Sequence, residues 1–124
     1  MSRNILFVAL GGMLGSVGRY LLVSVTVNLL PFTFPFGTFF VNILGCFAMG
    51  AAAGLAERYL WFHHEWRVFI TVGLCGGFTT FSAFAFENIE LLLDRNYITF
   101  GIYSIASFGL CLAAAFAGLI LARN

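Results

Sequence analysis

Polar side chains occur inside stretches of this sequence that are otherwise long and apolar. A polar or charged group is costly to place in the hydrocarbon of a membrane, so residues of this kind are candidates for function. The stretch GLCGGFTTFSAFAFE, residues 73–87, places three hydroxyls directly after paired glycines. The full set of candidates is Arg19, Thr38, Asn42, Thr79, Thr80, Ser82, Glu87, Tyr103 and Ser107.

Several of these polar residues recur at helical spacing. Thr38 and Asn42 are four residues apart, and Tyr103, Ser107 and Cys111 follow one another at the same interval. Residues four apart share one face of a helix, so each set predicts a polar line along one face. A lone serine or threonine in a membrane helix commonly bonds the carbonyl of its own preceding turn. An asparagine amide needs several partners, which makes Asn42 the strongest single candidate.

The glycine and threonine pairs of residues 73–87 predict a helix broken near its midpoint. Gly76 and Gly77 favour unwinding, and Thr79 or Thr80 would cap the helix that restarts. Non-helical backbone at membrane depth is tolerated only where it is buried in protein or lines a cavity. Its free carbonyls would suit a cation, whereas its free N–H groups and the new helix N-terminus would suit an anion.

Phe81 and Phe84 are three residues apart and share a face of the restarted helix. The chain has 16 phenylalanines, so packing or lipid contact is the default interpretation of this pair. The alternative is chemical, because the edge of an aromatic ring carries the positive part of its quadrupole and can approach a small anion.

The elements that carry these residues are predicted to be four membrane-spanning helices. Of the 124 residues 61% are apolar and 9% charged, and a soluble domain of this size cannot bury so much apolar surface. About 20 apolar residues cross a bilayer. The four apolar runs define one transmembrane domain over residues 1–124, with spans at Ile5–Leu30, Phe36–Ala56, Val68–Leu93 and Ile98–Ala122.

Other features of the sequence exclude several classes of function. A formal net charge of +1, without a basic patch, argues against nucleic-acid binding. His63 and His64 adjoin Glu65 in a connection without a third partner, which argues against a metal site and an enzyme. The odd number of cysteines, Cys46, Cys75 and Cys111, lies in apolar runs, and each is interpreted as a small apolar filler. Glycines at helical spacing, such as Gly11 and Gly15 or Gly50 and Gly54, predict close helix packing in a self-associating bundle.

The polar side chains concentrate in one half of the membrane. We call the side that holds both termini the near side and the opposite side the far side. At a rise of about 1.5 Å per residue, Asn42 lies about 9 Å and Ser107 about 13 Å from the far side. The near half of each span is almost bare of polar side chains. One copy therefore lines half a pathway, and an inverted second copy would supply the rest, which predicts an antiparallel homodimer.

Three segments of the sequence resemble signature segments of the Fluc (CrcB) fluoride channels. They are GGMLGSVGRY (residues 11–20), GTFFVNILGCFAMG (residues 37–50) and GLCGGFTTFSAF (residues 73–84). The segments occur in family order, in a chain of family length with four spans. The resemblance implies a passive, fluoride-selective channel in the cell inner membrane that exports cytoplasmic fluoride.

The resemblance also implies roles for individual residues and for the assembly. It implies an antiparallel, dual-topology homodimer in the lipid bilayer, with two pores at the subunit interface and a central structural sodium ion. The carbonyls of Gly76 and Thr79 resemble those that hold this sodium, and Arg19 and Glu87 resemble vestibule residues. The residues that resemble the lining of the fluoride pore are Asn42, Phe81, Phe84, Ser107, Tyr103, Thr38 and Ser82.

Three features depart from this pattern. Ala83 replaces a hydroxyl residue, which would remove a local hydrogen bond. Cys111 stands where the polar line can carry a hydroxyl, so the line would end one turn early. Arg3, Arg58, Arg67 and Arg123 lie on the near side, and this bias alone favours one orientation rather than dual insertion.

The main alternative function is a small four-helix multidrug or cation antiporter. That mechanism needs a carboxylate in the first span, whereas the first span here carries Arg19 and no acidic residue. A further alternative, a subunit that assembles without transporting, would need no polar residues gathered in one half.

Overall fold

The computed structural model describes residues 2–30, 33–59, 62 and 64–124. His63, named above with His64, lies outside the described residues. The described part of the chain is all helical, without strands. Its helices are α1 (Ser2–Leu29), α2 (Phe36–Arg58), α3 (His64–Arg67), α4 (Gly76–Phe78), α5 (Phe81–Leu93) and α6 (Tyr97–Arg123), and a π-helical segment (Val68–Cys75) joins α3 to α4.

Four helical stretches are long and apolar enough to cross a membrane, as predicted. They are Ser2–Leu29, Phe36–Arg58, His64–Leu93 and Tyr97–Arg123. The third stretch begins four residues before the predicted span, because α3 continues directly into the π-helical segment. No sequence pattern indicated that wider helical form, which occurs mostly as short insertions within α-helices.

The apolar surface of the single chain is largely uncovered. In three of the four stretches only 11% of the most apolar window is buried. Large side chains such as Leu21, Ile105 and Phe108 are exposed. A surface of this kind is stable only against lipid or another protein, as expected of a membrane protein.

The third stretch changes conformation between α4 and α5. Thr79 (φ −84°, ψ 157°) and Thr80 (φ −151°, ψ 120°) have extended backbone. The Thr80 hydroxyl accepts a hydrogen bond from the backbone N–H of Ala83 at 3.1 Å, so Thr80 is the N-cap of α5. A cap of this type satisfies one of the N–H groups that a helix start leaves unpaired.

Glycines bring α1 against the third stretch. A Cβ atom added to Gly11 would lie 2.5 Å from the carbonyl oxygen of Phe69, and one added to Gly77 would lie 2.8 Å from that of Gly12. Two helices can approach this closely only where no side chain separates their backbones. The predicted packing role of these glycines is therefore confirmed, and the contact lies within one chain.

Glycines also fix α2 beside α6, which run in the same direction. Gly50 faces the backbone of Ala115, and Gly54 faces that of Leu119. The two helices are thus in register at a constant offset of 65 positions, because residue 50 lies beside 115 and residue 54 beside 119. Extended towards the far side, this register places Asn42 beside Ser107.

We expect Gly50→Ala to destabilise the chain, because the added methyl group meets the backbone of Ala115 and forces α2 and α6 apart. Overpacking of this kind costs about 1–3 kcal/mol. The matched control is Gly109→Ala, where the new methyl group has open space around it. The measurement is the free energy of unfolding in detergent micelles. Equal stability of the two variants would contradict the packing account.

Candidate functional site

A cavity of about 260 Å³ lies between α2, α5 and α6. Its wall brings together four of the residues that resemble the lining of the fluoride pore, Asn42, Phe81, Phe84 and Ser107. The other residues of the wall are Cys46, Thr79, Thr80, Phe108 and Cys111. The rings of Phe81 and Phe84 lie 5.6 Å apart between centroids. Amide, hydroxyl and aromatic groups therefore meet at one cavity without a charged side chain in its wall.

Asn42 makes two hydrogen bonds to the extended backbone of Thr80. Its Nδ2 donates to the Thr80 carbonyl oxygen at 3.1 Å, and its Oδ1 accepts from the Thr80 N–H at 2.8 Å. The side-chain amide thus pairs with the backbone as a neighbouring β-strand would. An amide nitrogen carries two hydrogens, so Nδ2 keeps a second donor at the cavity wall.

Two backbone carbonyls have lost their helical partners, because the N–H groups of Thr80 and Ala83 donate to side chains. In an α-helix each carbonyl accepts from the N–H four residues later. The donor for Gly76 would be the Thr80 N–H, which donates to Asn42 instead. The donor for Thr79 would be the Ala83 N–H, which donates to the Thr80 hydroxyl. The carbonyls of Gly76 and Thr79 therefore lose their helical donors to side chains.

Ser107 places an unpaired hydroxyl in the cavity wall. Its side chain is buried, with 6% of the residue exposed, and its Oγ has no hydrogen-bond partner among the described residues. A buried polar atom without a partner costs free energy, so such atoms commonly mark a place where something else binds. Ser82 differs, because it is exposed and its Oγ lies 3.1 Å from the Thr80 hydroxyl.

Glu87 is the centre of a second polar group, nearer the far side. The Thr38 hydroxyl donates to its Oε2 at 2.9 Å, and the Tyr103 hydroxyl donates to its Oε1 at 2.8 Å. Tyr103 is fully buried, and its ring lies 4.9 Å from that of Phe84 between centroids. The aromatic contact joins this group to the cavity that Phe84 lines.

Glu87 also lies at the edge of a wider opening. Together with Asp94, Arg95 and Asn96, the residues that connect α5 to α6, it lines a cavity of about 630 Å³. Arg19 lies elsewhere, where its Nε donates to the Gly77 carbonyl oxygen at 3.2 Å. The two residues predicted to share a vestibule therefore have different surroundings, Glu87 against α2 and α6 and Arg19 against α4.

Two residues beside the connection between the second and third spans, His64 and Glu65, contact α1. Glu65 pairs with Arg3 at 3.1 Å, and His64 lies 3.5 Å from the amide of Asn4. Across residues 2–30, 33–59, 62 and 64–124, no three His, Cys, Asp or Glu side chains could hold a metal ion together.

The sequence analysis missed two features of the site. One is the pairing of the Asn42 amide with the backbone of Thr80. The cap itself was predicted at Thr79 or Thr80, and it is Thr80 that caps α5. The other is that Cys46 lies in the cavity wall beside Cys111, which the sequence had placed on one face with Ser107, so the interpretation of both cysteines as apolar fillers is incomplete. A sequence signal existed for Cys46, because it follows Asn42 at the four-residue interval that sets Cys111 after Ser107.

Comparison with known proteins gives a consistent result. The family described as CrcB-like protein, Camphor Resistance (CrcB), matches residues 6–119. A protein named fluoride-specific ion channel FluC from Caulobacter sp. (strain K31) is 47% identical over 98% of this chain and 95% of its own length. Proteins of the same name from Caulobacter vibrioides (strain NA1000 / CB15N) and Leptospira interrogans (strain Fiocruz L1-130) are 45% and 37% identical, over 98% and 99% of this chain and 97% of their own lengths.

Proposed function

This chain belongs to the CrcB-like protein family, and we propose that it is a channel that conducts fluoride passively across the membrane. Relatives that match nearly its whole length are named fluoride-specific ion channels. It is a multi-pass membrane transport protein rather than an enzyme, and we place it in the inner membrane. The observation that carries the proposal is the cavity in which Asn42 and Ser107 keep unused donors between phenylalanine rings.

The chemistry of this cavity suits a small, strongly hydrated anion. Such an ion enters a pore only if protein donors replace the water that it loses, and it leaves only if no group holds it too tightly. Asn42 offers the second N–H of its amide, and Ser107 offers a buried hydroxyl. The positive edges of the Phe81 and Phe84 rings add weak attraction without a fixed charge. Neutral donors of this kind select for an anion without trapping it.

The hydroxyls around Glu87 extend this path towards the far side. Thr38 and Tyr103 both donate to the carboxylate, which offsets part of its charge. A hydroxyl can rotate, so each can turn its hydrogen from Glu87 to a passing anion and back. The sequence of sites is then the opening at Asn96, the Glu87 group, and the cavity at Asn42 and Ser107.

The functional unit that we propose is an antiparallel homodimer with two pores. The polar side chains between α2 and α6 end where Gly50 packs on the backbone of Ala115. Between these two helices the described part of the chain therefore has no polar route through its near half. An inverted copy would place its own polar half there. The exposed apolar surface of the single chain is consistent with such a partner.

The break in the third span and a sodium ion at it belong to the same proposal. The extended backbone of Thr79 and Thr80 supports a break, and the carbonyls of Gly76 and Thr79 have lost their helical donors. Carbonyl oxygens are suitable ligands for a hard monovalent cation at a discontinuous helix. Two such pairs from two chains would enclose the ion and join the chains.

The antiporter alternative is not favoured. The first span lacks the carboxylate that proton exchange requires, and Glu87 is engaged by two hydroxyls. The chain also belongs to the CrcB-like protein family, whose matched relatives are named as channels and not as antiporters.

We expect liposomes that contain the purified protein to release fluoride but not chloride. The initial rate of release is measured with ion-selective electrodes. Phe81→Ile should lower the fluoride rate about ten-fold or more, equivalent to a barrier raised by about 1.4 kcal/mol, because it removes a ring edge from the cavity. Equal chloride release by the wild-type protein, or no fluoride release, would refute a fluoride channel.

The matched control for Phe81 is Phe86 on the same helix. In the single chain Phe81 is 78% exposed and Phe86 63% exposed, but Phe81 lines the cavity whereas Phe86 is not part of its wall. Phe86→Ile should therefore keep the wild-type rate. Equal loss in both variants would show that the effect of Phe81→Ile is a general effect on α5.

Asn42→Asp should abolish fluoride release, because a carboxylate repels the anion and offers no N–H to the Thr80 carbonyl. The control is Asn28→Asp, which adds the same charge at an exposed position near the end of α1. Backbone hydrogen exchange of residues 79–83 should also increase in Asn42→Asp. Unchanged fluoride release by Asn42→Asp would remove Asn42 from the pore.

We expect every dimer to contain one chain of each orientation. The test uses Ser2→Cys in a background without Cys46, Cys75 and Cys111, since Ser2 is exposed at the N-terminus. Sealed vesicles are labelled from outside with a light impermeant maleimide and, after lysis, with a heavy one. Native mass spectrometry should then find one light and one heavy label in each dimer. Dimers with two identical labels would refute the antiparallel arrangement.

We expect removal of sodium to lower both the fluoride release rate and the melting temperature of the dimer. Sodium would be replaced by a large organic cation, with potassium as a second control. Readdition of sodium should restore both quantities with the same concentration dependence, because one bound ion determines both. A dimer whose stability is the same in sodium and in the organic cation would contradict a structural sodium ion.

A further inference from the structure

Cys46 on α2 and Cys111 on α6 line the same cavity. The register that sets residue 50 beside 115 also sets residue 46 beside 111. Both cysteines are free, and both line the cavity that contains Asn42 and Ser107. Cys75, the third free cysteine, is 2% exposed and is not part of that wall.

The thiol pair forms the inner end of this cavity. One turn further along the same two helices, Gly50 packs directly on the backbone of Ala115 and leaves no space. One turn in the other direction stands Ser107, whose hydroxyl is more than nine-tenths buried and has no partner within the described chain. A ligand held by the thiols would therefore lie beside an unused hydroxyl.

We propose that Cys46 and Cys111 form a two-thiol binding site for a soft, thiophilic metal cation. Soft cations prefer sulfur ligands, and the d¹⁰ ions of this class are satisfied by two of them. With Hg²⁺ as the probe, two S–H bonds break, two Hg–S bonds form and two protons leave to water. The product carries no net charge, so it adds no uncompensated charge to a membrane interior.

The bound cation has a consequence for transport that rests on the proposed function. Cys46 and Cys111 line the same cavity as Asn42 and Ser107, one helical turn away from them, so an anion in this cavity lies close to the thiols. A metal ion there fills the end of the cavity and fixes α2 to α6. Soft metal ions therefore block fluoride conduction in this chain.

The binding test is independent of any transport measurement. Intact-protein mass spectrometry of the purified dimer with Hg²⁺ should find one ion bound per chain with the loss of two protons. X-ray absorption should find two sulfur ligands. Cys46→Ser and Cys111→Ser should each lower the affinity about ten-fold or more, because even changes outside the ligand set cost about 10–100-fold. Cys75→Ser should bind as the wild-type protein does.

Two results would refute the proposed two-thiol site. Hg²⁺ with a single sulfur ligand, or loss of binding in Cys75→Ser, would show that the two thiols do not act as a pair. Dimeric elution of each variant without metal shows that reduced binding does not reflect misfolding. Where a serine variant fails that control, Cys46→Ala and Cys111→Ala replace it.

The transport test uses the same variants in liposomes. Low Hg²⁺ concentrations should reduce wild-type fluoride release about ten-fold, and an added dithiol should restore it, whereas both serine variants should resist. If Hg²⁺ binds but fluoride release is unchanged, the proposed inhibition of conduction is wrong, although the two-thiol binding site stands. Wild-type protein that binds Hg²⁺ but conducts no fluoride would refute the proposed function and not the thiol site.

Discussion

The pairing of the Asn42 amide with the backbone of Thr80 is the interaction on which the rest of the site depends. Extended backbone at membrane depth leaves an N–H and a carbonyl without helical partners, and each unpaired group costs several kcal/mol. Asn42 satisfies both groups of Thr80, at 2.8 and 3.1 Å. With the Thr80 N–H engaged, the threonine hydroxyl is placed to cap α5, and the Gly76 carbonyl is left without its helical donor. One side chain on α2 therefore stabilises the extended backbone of Thr80 in the third span.

The position of Asn42 is itself fixed by packing at the other end of the same helix. Gly50 and Gly54 contact the backbone of α6, where even a methyl group would not fit, so α2 cannot slide or rotate there. The register set by these glycines extends along both helices. It aligns Asn42 with Ser107 and Cys46 with Cys111. Contacts without polar chemistry in the near half thus position the polar side chains of the far half.

The sequence predicted the features that depend on local spacing and failed where distant segments meet. The four spans follow from the lengths of the apolar runs, and the glycine contacts follow from helical periodicity. Asn42 stood out because its amide needs partners, but Thr80 is 38 residues away and only the packed helices identify it. The π-helical segment left no pattern in the sequence. Cys111 was grouped with Ser107 by spacing, but its neighbour Cys46 could not be identified, because that contact depends on the register of two helices distant in sequence.

The extended Thr79–Thr80 segment also explains why one region of a membrane protein could suit an anion and a cation together. A continuous helix pairs its N–H groups with its own carbonyls, so neither kind of group is free to bind a ligand. Here side chains take the N–H groups of Thr80 and Ala83, which leaves the carbonyls of Gly76 and Thr79 as acceptors. The donors that remain are on side chains, at Asn42 and Ser107. Donors and acceptors are thereby separated within a few residues, and opposite ions at the two places would stabilise each other in a medium of low dielectric constant.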